Sequence, residues 1–127
     1  FCGIYASEAE VFGIIQKIYK ESGYVIDTHT AVATAALEKY QAATGDTNKC
    51  VIISTASPYK FSRSVMEAID EKYKVMEDFA LIDEMSTISG VKVPNAIEEI
   101  RTAPILHKGL CDKTTMQETV RNVLGLS

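Results

Sequence analysis

Ser54-Thr55-Ala56-Ser57-Pro58-Tyr59-Lys60-Phe61 is the stretch best equipped for chemistry. It gathers the aliphatic hydroxyls of Ser54, Thr55 and Ser57, one ammonium at Lys60, and backbone amides at the start of a helix. Hydroxyls, a cation and free amides together suit an anion or a polar ring. Composition alone favours a plainer reading, in which Ser and Thr cap a turn and Lys60 is a solvated charge. A second polar group, Asp27-Thr28-His29-Thr30, is also rich in capping side chains. Asp27 reads most simply as a turn residue or cap, and His29 as a structural hydrogen-bonding group.

Both groups need elements to hold them. Ser7-Glu8-Ala9-Glu10 is a capping box, and Val11, Ile14, Ile15 and Ile18 follow at helical spacing. A helix over about 8–21 is expected, closed by Gly23. Tyr24-Val25-Ile26 reads as a short strand or extended segment. Ala31 to Thr44 is an alanine-dense helix that could lie close to a neighbour, stopped at Gly45. Cys50-Val51-Ile52-Ile53-Ser54-Thr55 is apolar at consecutive positions, the pattern of a strand buried on both faces of a parallel sheet. The Ser54–Phe61 loop would then lie at that strand's carboxyl end, where open α/β sheets bind ligands. A helix should cover Ser62 to Ile69. From about residue 71 a helical tail is expected: a helix near 76–89 closed by Gly90, a short one from Pro94 to Arg101, and a last one opened by Asp112 or Lys113. That last helix would turn Met116, Val120, Val123 and Leu124 inward.

The order predicts an α/β fold with a helix-rich, partial parallel sheet, in one segment spanning 1–127. A strand as apolar as Val51–Ile53 needs neighbours on both edges, and the chain supplies few. It therefore reads as part of a larger sheet. The start at Phe1, directly before a helix signal, likewise reads as a processed protein or an excised piece.

The bulk properties exclude several classes. The chain has 127 residues, 46% hydrophobic and 24% charged, which suits a folded domain rather than disorder. A net charge of −4 without clustered Lys or Arg argues against nucleic-acid binding. No apolar run approaches the roughly 18 residues of a membrane span. Three widely spaced cysteines and two histidines form no disulfide framework and no metal-ligand spacing, and a reducing cytoplasm fits them.

Ser-Thr-Ala-Ser-Pro-Tyr-Lys-Phe after an apolar strand resembles the carboxy-terminal signature of the threonine synthases, commonly T-A-x-P-x-K-F, often with His where Ser57 stands. Asp27-Thr28-His29-Thr30-Ala31-Val32 is similar to a second block, D-P-H-T-A-V, with Thr28 for the usual proline. Gly90-Val91-Lys92-Val93-Pro94-Asn95-Ala96, His107 and Cys111-Asp112-Lys113 follow in the family's order. The resemblance implies the end of the cofactor-bearing domain of a fold-type II pyridoxal-phosphate enzyme, a lyase of threonine biosynthesis. It would convert O-phospho-L-homoserine and water to L-threonine and phosphate. It implies that Thr55, with Ser54 second, faces the pyridine nitrogen. Lys60, His29 and Asp27 would order the loop or reach the substrate. The Schiff-base lysine would belong to the amino-terminal part, the partner of this segment, so the segment alone is expected to be inactive. Expressed alone, it could self-associate along its sheet edge.

Two competing readings come from other classes. Ser57-Pro58-Tyr59-Lys60 matches S-x-x-K of serine penicillin-recognising enzymes, but S-D-N is missing and Lys113-Thr114-Thr115 only imitates K-T-G. The other is a small α/β interaction domain with no catalysis, which the lack of a nucleophile–base pair or glycine-rich loop favours.

Overall fold

The Ser7 box forms as its spacing requires. In the computed structural model, which describes residues 2–126, the Ser7 amide donates to Glu10 Oε2 at 2.7 Å and the Glu10 amide to Ser7 Oγ at 3.4 Å. Helix α1 (Glu8–Ser22) follows, with Val11, Ile14 and Ile15 buried along one stripe. Gly23 ends it at φ 71°, and its amide reaches the Tyr19 carbonyl at 2.8 Å. Helix α2 (Thr28–Thr44) starts three residues before the alanine run, because Asp27 caps it. Ala31 and Ala35 are buried, and these small side chains let α2 lie close against α1. Lys39–Glu10 and Lys17–Glu38 pair across the two helices at 2.7 and 2.8 Å. Both pairs are solvated, so they fix register more than they stabilise.

After Gly45 the chain runs without regular structure to a 3-10 turn at Pro58–Phe61, then into α3 (Ser62–Ile69). Val65, Met66, Ala68 and Ile69 of α3 are buried, so the core forms where α3 meets α1 on one side and α4 (Asp78–Ser89) on the other. Leu81, Ile82 and Met85 are the buried face of α4. Arg63 staples the join between α3 and α4, donating to the Lys74 carbonyl at 3.1 Å, the Met76 carbonyl at 2.8 Å and Asp78. Helix α5 (Asn95–Arg101) is tied to α4 by Arg101, whose guanidinium forks onto Asp83 at 2.7 and 3.1 Å, and Ile97 packs against the core.

The described residues contain no strand, and this corrects the α/β expectation. Tyr24–Ile26 is a connector between α1 and α2, in which Val25 and Ile26 are buried. Cys50–Thr55 has no ladder partner among the described residues. Val51 is 90% and Ile53 79% exposed, not buried on two faces. An apolar run becomes a strand only if other strands take its amides and carbonyls. Without them the backbone stays solvated, and the fold is helix packed on helix. The last helix is corrected in the same way. Helix α6 (Met116–Val123) forms, but Met116, Val120, Val123 and Leu124 are all more than half exposed. Beyond Ile100 every described side chain except Arg101 and Thr119 is exposed.

Candidate functional site

The two polar groups of the sequence meet at Asp27. Its carboxylate is fully buried at the N-terminus of α2. Oδ1 accepts from the amides of His29 at 2.8 Å and Thr30 at 3.3 Å, the geometry of an N-cap. Oδ2 accepts from two hydroxyls, those of Thr30 and of Ser54, the latter at 3.1 Å. The Thr30 and Ser54 hydroxyl oxygens lie 2.9 Å apart, closing a triangle with the carboxylate. A contact across 27 residues of sequence thus ties the start of the Ser54–Phe61 loop to α2.

The other end of that loop is tied by the same block. The His29 ring lies tilted against Phe61, centroids 5.0 Å apart, and its Nδ1 is 3.4 Å from Asp27 Oδ1. His29, Phe61, Phe12, Val32, Glu8 and Ser64 line a cleft of about 340 Å³ where α1, the start of α2 and the Phe61–Ser64 stretch meet. Within the loop, Ser57 caps the 3-10 turn through the Tyr59 amide at 3.3 Å. Tyr59 is buried, its hydroxyl donating to the Val91 carbonyl.

Burial acts to raise the Asp27 pKa, but the hydroxyl of Thr30, the amides of His29 and Thr30 and the hydroxyl of Ser54 outweigh it, and the carboxyl sits below its ordinary value near 3.8. Glu10 is lowered to about 2 by Lys39 and by Ser7. Asp70 and Asp112 move the same way, each through local hydrogen bonds. Lowered carboxyl pKa values favour the folded state above the unfolded-state values and lose that contribution as pH falls through the folded ones. The chain should therefore lose stability as pH drops from about 5 toward 2. Urea midpoints followed against pH would test this. The Asp27→Asn variant should show a shallower fall, and an identical slope would remove Asp27 from the account.

The structure brings together Asp27, Ser54 and His29. Thr55 and Lys60 stay outside the cluster. Thr55 is exposed, and among the described residues its hydroxyl has no hydrogen-bond partner. Lys60 is exposed with no carboxylate partner among them, its Nζ 5.6 Å from the Phe61 ring centroid. Thr30 was missed by the sequence reading. Its place three residues after a capping Asp was the available signal, because the N3 position faces the cap.

A family model described as threonine synthase, C-terminal, matches residues 30–103, more than half of the chain. The chain belongs to this family. Among its relatives, human threonine synthase-like 1 is 30% identical over 118 residues, 93% of this chain but 14% of that protein. The protein of the same name from Macaca fascicularis is 29% identical over the same share of both chains. The one from Mus musculus is 36% identical over 73 residues, 57% of this chain and 9% of the relative. The chain thus spans about one seventh of the length of the human and Macaca fascicularis relatives. The family match takes in Thr30 and the whole Ser54–Phe61 loop.

Proposed function

We propose that this chain is the carboxy-terminal part of a pyridoxal-phosphate-dependent enzyme that converts O-phospho-L-homoserine and water to L-threonine and phosphate. The family match across the Ser54–Phe61 loop carries the reading. The residues present suit the cofactor. A pyridine nitrogen needs one hydrogen-bonding group, and Thr55 offers an uncommitted hydroxyl. The carboxylate close by, Asp27, is already saturated by two amides and two hydroxyls, so it is not free to hold a pyridinium. Ser54, the second hydroxyl of the sequence reading, is already engaged by Asp27 Oδ2 at 3.1 Å and the Ala56 carbonyl at 3.4 Å, which leaves Thr55 as the main group.

When bound, pyridoxal phosphate supplies an electron sink for carbanion chemistry. Thr55 would hydrogen-bond the ring nitrogen without a negative charge, and so would moderate that sink. Lys60, exposed and unpaired with a carboxylate, would hold a phosphate as a point charge. His29 would order the loop through Phe61. The Schiff-base lysine would come from an amino-terminal part of the same enzyme, and the chain alone would turn over no substrate. A cytoplasmic setting suits three cysteines that are all free and exposed. No helix among the described residues is long and apolar enough to cross a membrane.

The test is Thr55→Ala beside wild type in the full-length protein, following cofactor absorbance and phosphate release from O-phosphohomoserine. Turnover should fall roughly tenfold to a hundredfold, the worth of one hydrogen bond to an ionisable group, with a changed cofactor spectrum. An unchanged spectrum and rate would make the hydroxyl structural. A second reading, a non-catalytic interaction module, draws on the exposed Val51, Ile53, Leu106 and Leu110. Wild-type protein that binds no cofactor and releases no phosphate would favour it.

A further inference from the structure

The 27–30 block touches the Ser54–Phe61 loop at both ends. At one end the Ser54 hydroxyl is held by Asp27 Oδ2 at 3.1 Å and lies 2.9 Å from Thr30 Oγ1. At the other, Phe61 packs on the His29 ring. Thr55 is the next residue after the first anchor. It is exposed and makes no hydrogen bond of its own among the described residues, so its direction is set by its backbone. That backbone lies in a segment without ladder or helix bonds, and its nearest tether is the Ser54 side chain, which bonds Asp27 Oδ2 at 3.1 Å and lies 3.4 Å from the Ala56 carbonyl. Fully satisfied buried polar groups fix one arrangement, because any displacement strands a charge without partners. Asp27 is such a group. No side-chain polar atom buried among the described residues lacks a partner.

We infer that Asp27 is a positioning residue which, through Ser54 and Thr30, clamps the backbone at residues 54–55 and so aims the Thr55 hydroxyl at its ligand. The inference rests on the cofactor reading given above for Thr55, and adds the device that sets its direction. The clamp is one of geometry, with no proton passed along it. The carboxylate needs only to remain ionised and accepting. Ser54 therefore acts by being held, and its hydroxyl matters more than its bulk.

Two measurements separate the clamp from the cofactor. In the chain itself, backbone 15N relaxation reports order at Thr55. Wild type should show an order parameter of about 0.85 there, and Ser54→Ala should bring it to about 0.6 or below while α2 stays rigid. Ser54→Thr, which keeps a hydroxyl, should restore it. Thr30→Val supplies a second break in the triangle and should loosen the same residues. A mobile Thr55 in wild type, an unchanged one in Ser54→Ala, or no rescue by Ser54→Thr would each overturn the clamp. In the full-length protein, Ser54→Ala should weaken cofactor binding roughly threefold to tenfold, the scale of one lost hydrogen bond, and shift the bound absorbance. A loosened Thr55 with unaltered cofactor affinity and absorbance would overturn the positioning role, since the clamp would then serve the fold alone. Wild-type protein that binds no cofactor, with Thr55 still ordered by Ser54, would instead bring down the cofactor reading and the aim ascribed to the clamp with it.

Discussion

Leu81→Ala should lower the unfolding free energy by about 2–5 kcal/mol, which is a large part of the roughly 5–15 kcal/mol that holds an ordinary domain folded. Leu81 is fully buried on α4, in a core shared with Val65 and Met66 of α3. Its loss costs the transfer of the removed atoms plus whatever cavity remains. Met85 stands one turn further along the same helix, also fully buried, and Met66 is in the same core. Unbranched Met side chains can move into a gap, so the lower half of that range is expected. Val51→Ala is the matched control. Val51 is 90% exposed, and its truncation should stay within about 0.5 kcal/mol. Urea unfolding of both variants decides it. A loss below about 1 kcal/mol for Leu81→Ala would mean that α4 is not part of the cooperative core.

Local rules made the helices legible. The Ser7–Glu10 box, the Val11–Ile15 stripe and the left-handed Gly23, Gly45 and Gly90 act within one or two turns, and each is found where spacing puts it. What sequence did not carry was partnership. Val51-Ile52-Ile53 satisfies the pattern of a buried strand, yet a ladder requires other strands, and none lies among the described residues. Met116, Val120 and Val123 satisfy the pattern of an inward stripe, yet all three are more than half exposed. An apolar pattern states what a segment could bury, not what is there to bury it.

The site divides along the same line. The loop 54–61 and the block 27–30 were each visible as clusters of polar side chains. Their junction was not. Ser54 meets Asp27 across 27 residues, and no local rule links them. From the residues alone Asp27 reads as a turn residue or cap, the resemblance adds a role in ordering the loop or reaching the substrate, and in the structure it caps α2 through Oδ1. Its second oxygen holds the loop.

That double duty makes Asp27→Ala the other large effect. The substitution removes an N-cap, about 1 kcal/mol, and strips the Thr30 and Ser54 hydroxyls of a charged acceptor, worth about 1.5–3 kcal/mol for such a bond. A total loss of about 2–4 kcal/mol is expected, because the two hydroxyls, 2.9 Å apart, can still bond each other. Asp27→Asn separates the two duties. Asn caps as well as Asp, so the α2 terminus should hold. Its amide nitrogen in the place of Oδ2 would donate, however, and both hydroxyls would have to turn and accept. Asn should therefore recover the cap part of the loss and leave the rest, placing its unfolding midpoint between those of wild type and Ala. Urea titrations of the three proteins at pH 7 would show it. Equal midpoints for Asn and wild type would mean that only the cap contributes to stability. Equal midpoints for Asn and Ala would mean that the charge on Oδ2 carries all of it, and that the tie between helix and loop is electrostatic before it is steric.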